Sequence, residues 1–459
     1  MDFKFIMWNV KYSMINDGVR LLHAGTCGRI SSTDRYLKEN QQMKEFFEPM
    51  LFLSTPDHPN TMGTLAVLKE AVDGEILRDV VEDLRLRFPY FYVQAVVREN
   101  DIFPEPNALP MTVRNTWVPI KLNSEKSNYH LAAWKYEGNR MAFEISHYLT
   151  DGAGVLPYVK SALYLYLSRK TGQTFDPSGF RLPGDIIPES ETGNPFADLN
   201  IDAAEEPLYT RETVKDFYRL NKGTEHDART FCIKLSEAQL MQYCRDLDGS
   251  PNAFLAVILA RAIRHYDPAS EKTISATVAI DHKAILGNHD NYRLFANVVE
   301  LDYPRGRNLD DLMKSCTGAR GQMLLQTQPE NSLWAMKQRK ALYAKLDQVP
   351  LDVKTRMMAQ AAGATRWTFS ISYVNNRTFG PLDPYIEELY LLAHPDVIDV
   401  GCEITCINHN FFVAFIQSFS SEEFLNVFLD ELKSVGLNYE VIRKEPLRLC
   451  GMEAYMSRA

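Results

Sequence analysis

The chain lacks any run of about 18 consecutive apolar residues, so its sequence gives no membrane span. Basic charge is in short supply: 50 Lys and Arg face 59 Asp and Glu, a net charge of -9. That is the wrong sign for neutralising duplex phosphates, and a nucleic-acid partner is not expected. The seven cysteines are scattered and odd in number, which excludes a framework of close disulfide pairs and fits a reducing compartment. The N-terminal FIMW, flanked by Asp2 and Lys4, is far shorter than a signal-peptide core. A cytoplasmic location is the expectation.

What is present is typical of a folded chain: 45% of residues are apolar and 24% charged. A length of 459 residues exceeds what one hydrophobic core usually supports, so two lobes are expected. Cys402, Cys406 and His409 are of metal-ligating types but lie in or beside an apolar strand-like stretch without a second ligand group. Buried structural cysteines and no metal are expected there.

Residues 1–32 show no strong periodicity and read as an N-terminal extension. A polar helix is expected from Thr33 to Pro49, then strands at Leu51 to Leu53 and Gly63 to Leu68. Asp73 can cap the next helix, Glu75 to Arg87. A further strand is expected at Phe91 to Val97. His130 to Tyr136 and Arg140 to His147, joined by Glu137-Gly138-Asn139, read as a hairpin. Leu156, Val159, Leu163 and Leu167 recur at helical spacing until Gly172.

Residues 172–228, rich in proline and acidic side chains, read as a crossover. It separates a first lobe, 33–171, from a second, 229–459. The second lobe is expected to hold strands near Thr230 to Leu235, Thr273 to Ile280, Asn297 to Tyr303, Thr368 to Val374, Val397 to Ile407, Phe411 to Phe419 and Tyr439 to Lys444. A helix from Pro251 starts with proline in its first turn. Two helical stretches fill 309–362, and capping boxes are expected at Ser236/Gln239 and Ser420/Glu423. Each lobe mixes a sheet with covering helices, an α/β (α+β) class.

The stretch Phe143 to Gly154, FEISHYLTDGAG, carries the chemistry. Alternation places Phe143, Ile145 and His147 on one inward face and Glu144 and Ser146 on the other. A neutral imidazole there can take a proton from a hydroxyl, amine or thiol. Asp151 is suited to cap the following helix. Gly152 can adopt a backbone conformation closed to other residues.

His147-Tyr-Leu-Thr-Asp151-Gly152 resembles the HxxxDG signature of the chloramphenicol-acetyltransferase-like acyltransferases, which include alcohol acetyltransferases, plant BAHD enzymes, polyketide-associated acyltransferases and peptide-synthetase condensation domains. The resemblance runs from about Thr33 to the end. It takes in Pro251-Asn-Ala-Phe-Leu, Asp281-His-Lys283, Phe295-Ala-Asn297 and Phe369-Ser-Ile-Ser372-Tyr-Val, the last similar to the alcohol-acetyltransferase branch.

This resemblance implies two similar lobes with a tunnel between them and His147 as general base midway along it. Asp151 would be structural, held by a cation from the second lobe, either Lys283 or Arg293. Gly152 would leave room beside the histidine, and Ser372 is the oxyanion candidate. Lys283, Asn297 and Tyr373 are candidate substrate-binding positions. Acyl-CoA is implied as cosubstrate, with no permanently bound cofactor, and the acceptor as a small-molecule or lipid-like alcohol. The alternatives are transfer from an acyl carrier protein to an amine or hydroxyl, and a degenerate binding protein. Ser146 stands where condensation domains carry a second histidine, Asn375 where the alcohol branch often has glycine, and the plant DFGWG motif is missing.

Overall fold

The computed structural model describes residues 49–455, except 99, 197, 213, 222–226, 365–366, 375–377 and 396–397. The expected N-terminal extension, the helix from Thr33 and the loop at Asn375 lie outside the described residues. Before the crossover the chain forms β1 (Thr61–Leu68), β2 (Val93–Arg98), β3 (Asp101–Pro106), β4 (Val113–Asn115), β5 (Lys121–Leu122), β6 (Ala132–Glu137) and β7 (Arg140–Ser146). After it come β8 (Arg229–Ser236), β9 (Ile274–Asp281), β10 (Ala296–Tyr303), β11 (Phe369–Tyr373), β12 (Ile386–Ala393), β13 (Val400–Ile407), β14 (Asn410–Gln417), β15 (Tyr439–Pro446) and β16 (Gly451–Met452).

β2 with β3 and β5 with β16 form two-stranded sheets, and two larger sheets organise the remaining strands into two lobes. One has the order β12-β1-β7-β6-β4; the other has seven strands, β10-β9-β11-β13-β14-β8-β15. The expected hairpin is β6 and β7, antiparallel, with Glu137 opposite Arg140 and Gly138 at φ 60 in the turn. There a residue without a Cβ is favoured.

Chain order does not sort the strands cleanly between the sheets. β12, from late in the chain, pairs antiparallel with β1, placing Leu391 opposite Thr64, and β16 runs parallel to β5. The first sheet is therefore completed by residues from the second half. Sequence reading missed β12, whose pairing partner is more than three hundred residues away and leaves no local signature.

Helix caps follow the chemistry of their residues. Asp73 accepts from the Glu75 and Ile76 N–H groups at 2.9 and 3.2 Å, starting the helix Gly74–Leu84. Such a cap contributes about 1 kcal/mol. Ser250 accepts from Ala253 N–H at 3.3 Å ahead of Pro251, satisfying a donor that the first helical turn leaves over. The helix Gly152–Thr171 ends at Gly172, φ 68. It is buried on most sides, with Tyr158, Leu163 and Tyr166 in the core, so its position is fixed by packing.

Several local expectations are corrected. Leu51 to Leu53 are not a strand: Pro49–Phe52 form a short 3-10 turn. Ser420 and Glu423 form no capping box, since Glu422 is the N-cap of Glu423–Ser434 without a side-chain bond. At Ser236 only half of the box exists. Its hydroxyl accepts from Gln239 N–H at 3.4 Å, while the Gln239 amide turns to Gly436 O and Asn438 N–H instead. Three helices, not two, occupy 312–363: Leu312–Gln326, Pro329–Leu346 and Leu351–Gly363. Among the described residues no helix is long and apolar enough to cross a membrane.

Candidate active site

β7 is central in its sheet, and that changes the reading of its faces. Glu144 and Ser146 are as deeply buried as Phe143 and Ile145, because both faces are covered. Glu144 pairs with buried Lys135 at 2.8 Å and accepts from Cys450 N–H at 2.8 Å. His147 lies just past the strand end and is half-buried, held by its own N–H to Asn60 O at 2.8 Å.

The histidine ring is oriented by the turn that follows. Its Nδ1 lies 2.9 Å from Thr150 O. A carbonyl can only accept, so Nδ1 carries the hydrogen and Nε2 of the neutral ring keeps the lone pair. Four residues of sequence thus set the tautomer suited to a general base.

Asp151 joins the halves. It N-caps Gly152–Thr171 through Gly154 N–H at 2.8 Å, meets Lys283 Nζ at 2.6 Å with the same oxygen, and accepts from Phe295 N–H at 2.8 Å with the other. Asp151 is 3% exposed and Lys283 not at all. The cation at Asp151 is therefore Lys283. Arg293 instead lies over the Tyr292 ring at 5.0 Å and donates to Thr192 O at 3.4 Å.

The joint extends around that pair. Thr150 Oγ1 donates to Tyr292 O at 2.6 Å, and a Cβ at Gly154 would stand 2.2 Å from the same carbonyl oxygen. Only glycine permits that backbone approach. From the crossover, Glu191 takes a bidentate pair from buried Arg87 at 2.6 and 2.8 Å, and its carbonyl accepts from Tyr292 N–H at 3.1 Å.

Gly152 serves space, not backbone freedom. It opens the helix without a left-handed φ, and a Cβ there would reach 2.6 Å from Val374 Cγ2 and 3.4 Å from Leu391 Cδ1. The expectation of an unusual backbone conformation is thus replaced by one of close packing beside the cavity.

A cavity of about 160 Å³ lies between the sheets, with His147, Gly152 and Met62 on one side and Val298, Ser372 and Glu403 on the other. β12 adds Leu391 to its wall, so the exchanged strand helps to build the site. The space is smaller than the roughly 300–1,000 Å³ of a drug-sized ligand pocket.

Glu403 was not singled out by sequence reading. It sits on β13, half-buried, opposite Ser372 on parallel β11. Burial pushes its carboxyl up to about 7, against a smaller lowering by the hydrogen bond from Ser372. The signal was a lone acid in the apolar run VGCEITCI, Val400 to Ile407.

Asn297 lies on β10 opposite Ile280 and is not among the residues lining the cavity. Tyr373 is not either; its ring packs edge-on against Phe411 at 5.5 Å. Cys402 and Cys406 are buried in the core of the seven-stranded sheet, whereas His409 is exposed with Nδ1 3.3 Å from Glu237.

The fold has known structural counterparts. Polyketide synthase associated protein 5 from Mycobacterium tuberculosis superposes with a TM-score of 0.55 at 14% identity, over 83% of this chain and 96% of that one. F. graminearum TRI101, complexed with coenzyme A and T-2 mycotoxin, gives 0.50 at 13%, over 85% and 98%. The condensation domain of the Monacolin K polyketide synthase MokA gives 0.50 at 11%, over 86% and 95%. The chain has the two-lobed condensation-domain and acyltransferase fold. No family model matches the sequence, and no match is found among curated protein sequences.

Proposed function

We propose that this protein is an acyltransferase that moves an acyl group, acetyl in the simplest case, from a CoA thioester to a small or lipid-like alcohol. The observation that carries this reading is His147, its Nδ1 committed to Thr150 O, lining a small cavity between two lobes. The same two-lobed fold in TRI101, complexed with coenzyme A, supports CoA as the donor.

In this scheme Nε2 takes the hydroxyl proton as the acceptor oxygen attacks the thioester carbonyl. The tetrahedral oxyanion collapses, the C–S bond breaks, and the imidazolium returns its proton to the departing thiolate, giving ester and free CoA. A thioester is already activated, so alignment between the lobes supplies much of the remaining acceleration. Ser372, on the opposite wall, is the proposed oxyanion donor. Asp151 and Lys283 hold the histidine turn against the second lobe and touch neither substrate.

The test is His147→Ala, assayed with acetyl-CoA and a panel of alcohols. A loss of about 10²–10⁴-fold in kcat is expected with an unchanged unfolding midpoint; undiminished turnover would overturn the assignment. Likeness to a condensation domain favours a second reading, transfer from a carrier-protein thioester. Side-by-side rates with acetyl-CoA and an acetyl-loaded carrier protein decide between the donors.

A further inference from the structure

Glu403 has no part in the scheme above, yet it lines the same cavity as His147 and is register partner of Ser372. Among the described residues no cation acts on it. The polar group that acts on it is the Ser372 hydroxyl of the neighbouring strand. The ionisation of Glu403 therefore decides what Ser372 can offer to the cavity. An ionised carboxylate is acceptor-only and draws the serine hydrogen to itself, leaving lone pairs towards the substrate. A neutral carboxyl has a hydrogen of its own to give.

We propose that Glu403 is a positioning residue: in its neutral form it donates to Ser372 Oγ, turning the Ser372 hydroxyl hydrogen into the cavity, where it donates to the oxyanion of acyl transfer. This deepens the acyl-transfer reading and rests on it for the oxyanion, though not for the hydrogen bond. No bond is broken; one hydrogen bond changes direction. The apolar surroundings, Val298 and Leu391 among them, favour the neutral carboxyl, consistent with burial raising the group to about 7.

The other groups facing Glu403 leave it in control. On its own strand Cys402 is buried, its thiol pushed well up by burial and by Glu403 itself. β14 presents Ala414 beside it. On β12, in contact with β13, Glu388 is paired with Arg443 and accepts from the Tyr390 hydroxyl. Beyond Ser372 on β11, the Tyr373 ring packs against Phe411. Across the cavity His147 is the other group of a type that changes charge near neutral pH. Its own part in the scheme is a free Nε2 that takes the hydroxyl proton.

Two measurements on the full chain test this. Infrared titration of the protein alone, as a wild-type minus Glu403→Gln difference, should show a carboxylic-acid band that disappears with a midpoint near pH 7. Ser372→Ala should move that midpoint upward, since it removes a hydrogen bond that favours the ionised form. Absence of the band at neutral pH overturns the proposal whatever the activity.

In kcat/KM profiles with acetyl-CoA and an alcohol, the wild type should lose rate as pH rises through that midpoint. Glu403→Gln, whose amide can still donate to Ser372, should lack this alkaline limb and lose less than Glu403→Ala. Combining Glu403→Ala with Ser372→Ala should add little to the roughly hundredfold loss of the serine variant alone. A Glu403→Gln profile with the same alkaline limb as wild type, or additive losses, overturns it. If the wild type transfers no acyl group, the functional reading fails while the infrared titration still decides the hydrogen bond.

Discussion

Asp151, buried, and Glu403, half-buried, are two carboxyls close to one cavity, and their surroundings could hardly differ more. Asp151 has the Lys283 ammonium at 2.6 Å and two backbone N–H donors at 2.8 Å. Glu403 has the Ser372 hydroxyl on the neighbouring strand and, among the described residues, no cation acting on it. The first is fully compensated and sits where the two halves meet. The second is left short of partners on the cavity wall. A buried charge is tolerated when paired and hydrogen-bonded; otherwise the group moves towards its neutral form. The contrast separates a carboxylate that holds the site together from one poised to change state within it.

The largest effect should come from breaking the compensated pair. Asp151→Ala strands the Lys283 ammonium in the interior and leaves the Gly154 and Phe295 N–H groups without their acceptor. A loss of about 3–5 kcal/mol is expected, read as a lowered chemical-unfolding midpoint. Lys283→Met should cost less, because the carboxylate keeps both backbone donors, and the double variant should recover part of the Asp151→Ala loss. If Asp151→Ala is no more damaging than Glu403→Ala, the contrast between the two carboxyls fails.

Two glycines of the helix that Asp151 caps give the next test. A Cβ at Gly154 meets the Tyr292 carbonyl oxygen at 2.2 Å, a backbone atom that cannot rotate away. Gly154→Ala should therefore destabilise by about 1–3 kcal/mol. At Gly152 the nearest obstacle is the Val374 side chain, which can shift in part. Gly152→Ala should cost less stability and act mainly on kcat, by crowding the cavity beside His147. Equal stability losses, with turnover of Gly152→Ala unaffected, would place both glycines in the joint and none at the site.

Sequence reading reached one side of this comparison and not the other. His147, Asp151 and Gly152 are close in the chain, and a strand end, a cap and a helix start are local events; so are the Asp73 cap and the Gly138 turn. The choice between Lys283 and Arg293 was not local. It depends on how the short helix His282–Leu286 and the segment around Tyr292 approach the first sheet. β12 was missed for the same reason, since its partner β1 lies far back in the sequence. Glu403 stood in plain sight within an apolar strand, but its meaning comes from Ser372 on a neighbouring parallel strand and from a cavity walled partly by β12. Asn297 and Tyr373 show the converse: proximity in sequence to lining residues Val298 and Ser372 did not bring them to the cavity.

The smallest effect is the most diagnostic, because its sign depends on pH. Glu403 is raised from its ordinary 4.5 to about 7 in the folded protein, so the fold binds its proton more tightly than the unfolded chain does. Its contribution to stability is fully present below the ordinary value and is lost as pH rises through about 7. Glu403→Leu, close in bulk and without a charge, removes that dependence. Relative to wild type the variant should therefore gain stability between pH 5 and pH 8, measured as the difference in unfolding midpoint at the two ends. If the difference between Glu403→Leu and wild type is the same at both pH values, Glu403 is ionised throughout. The two carboxyls would then be alike.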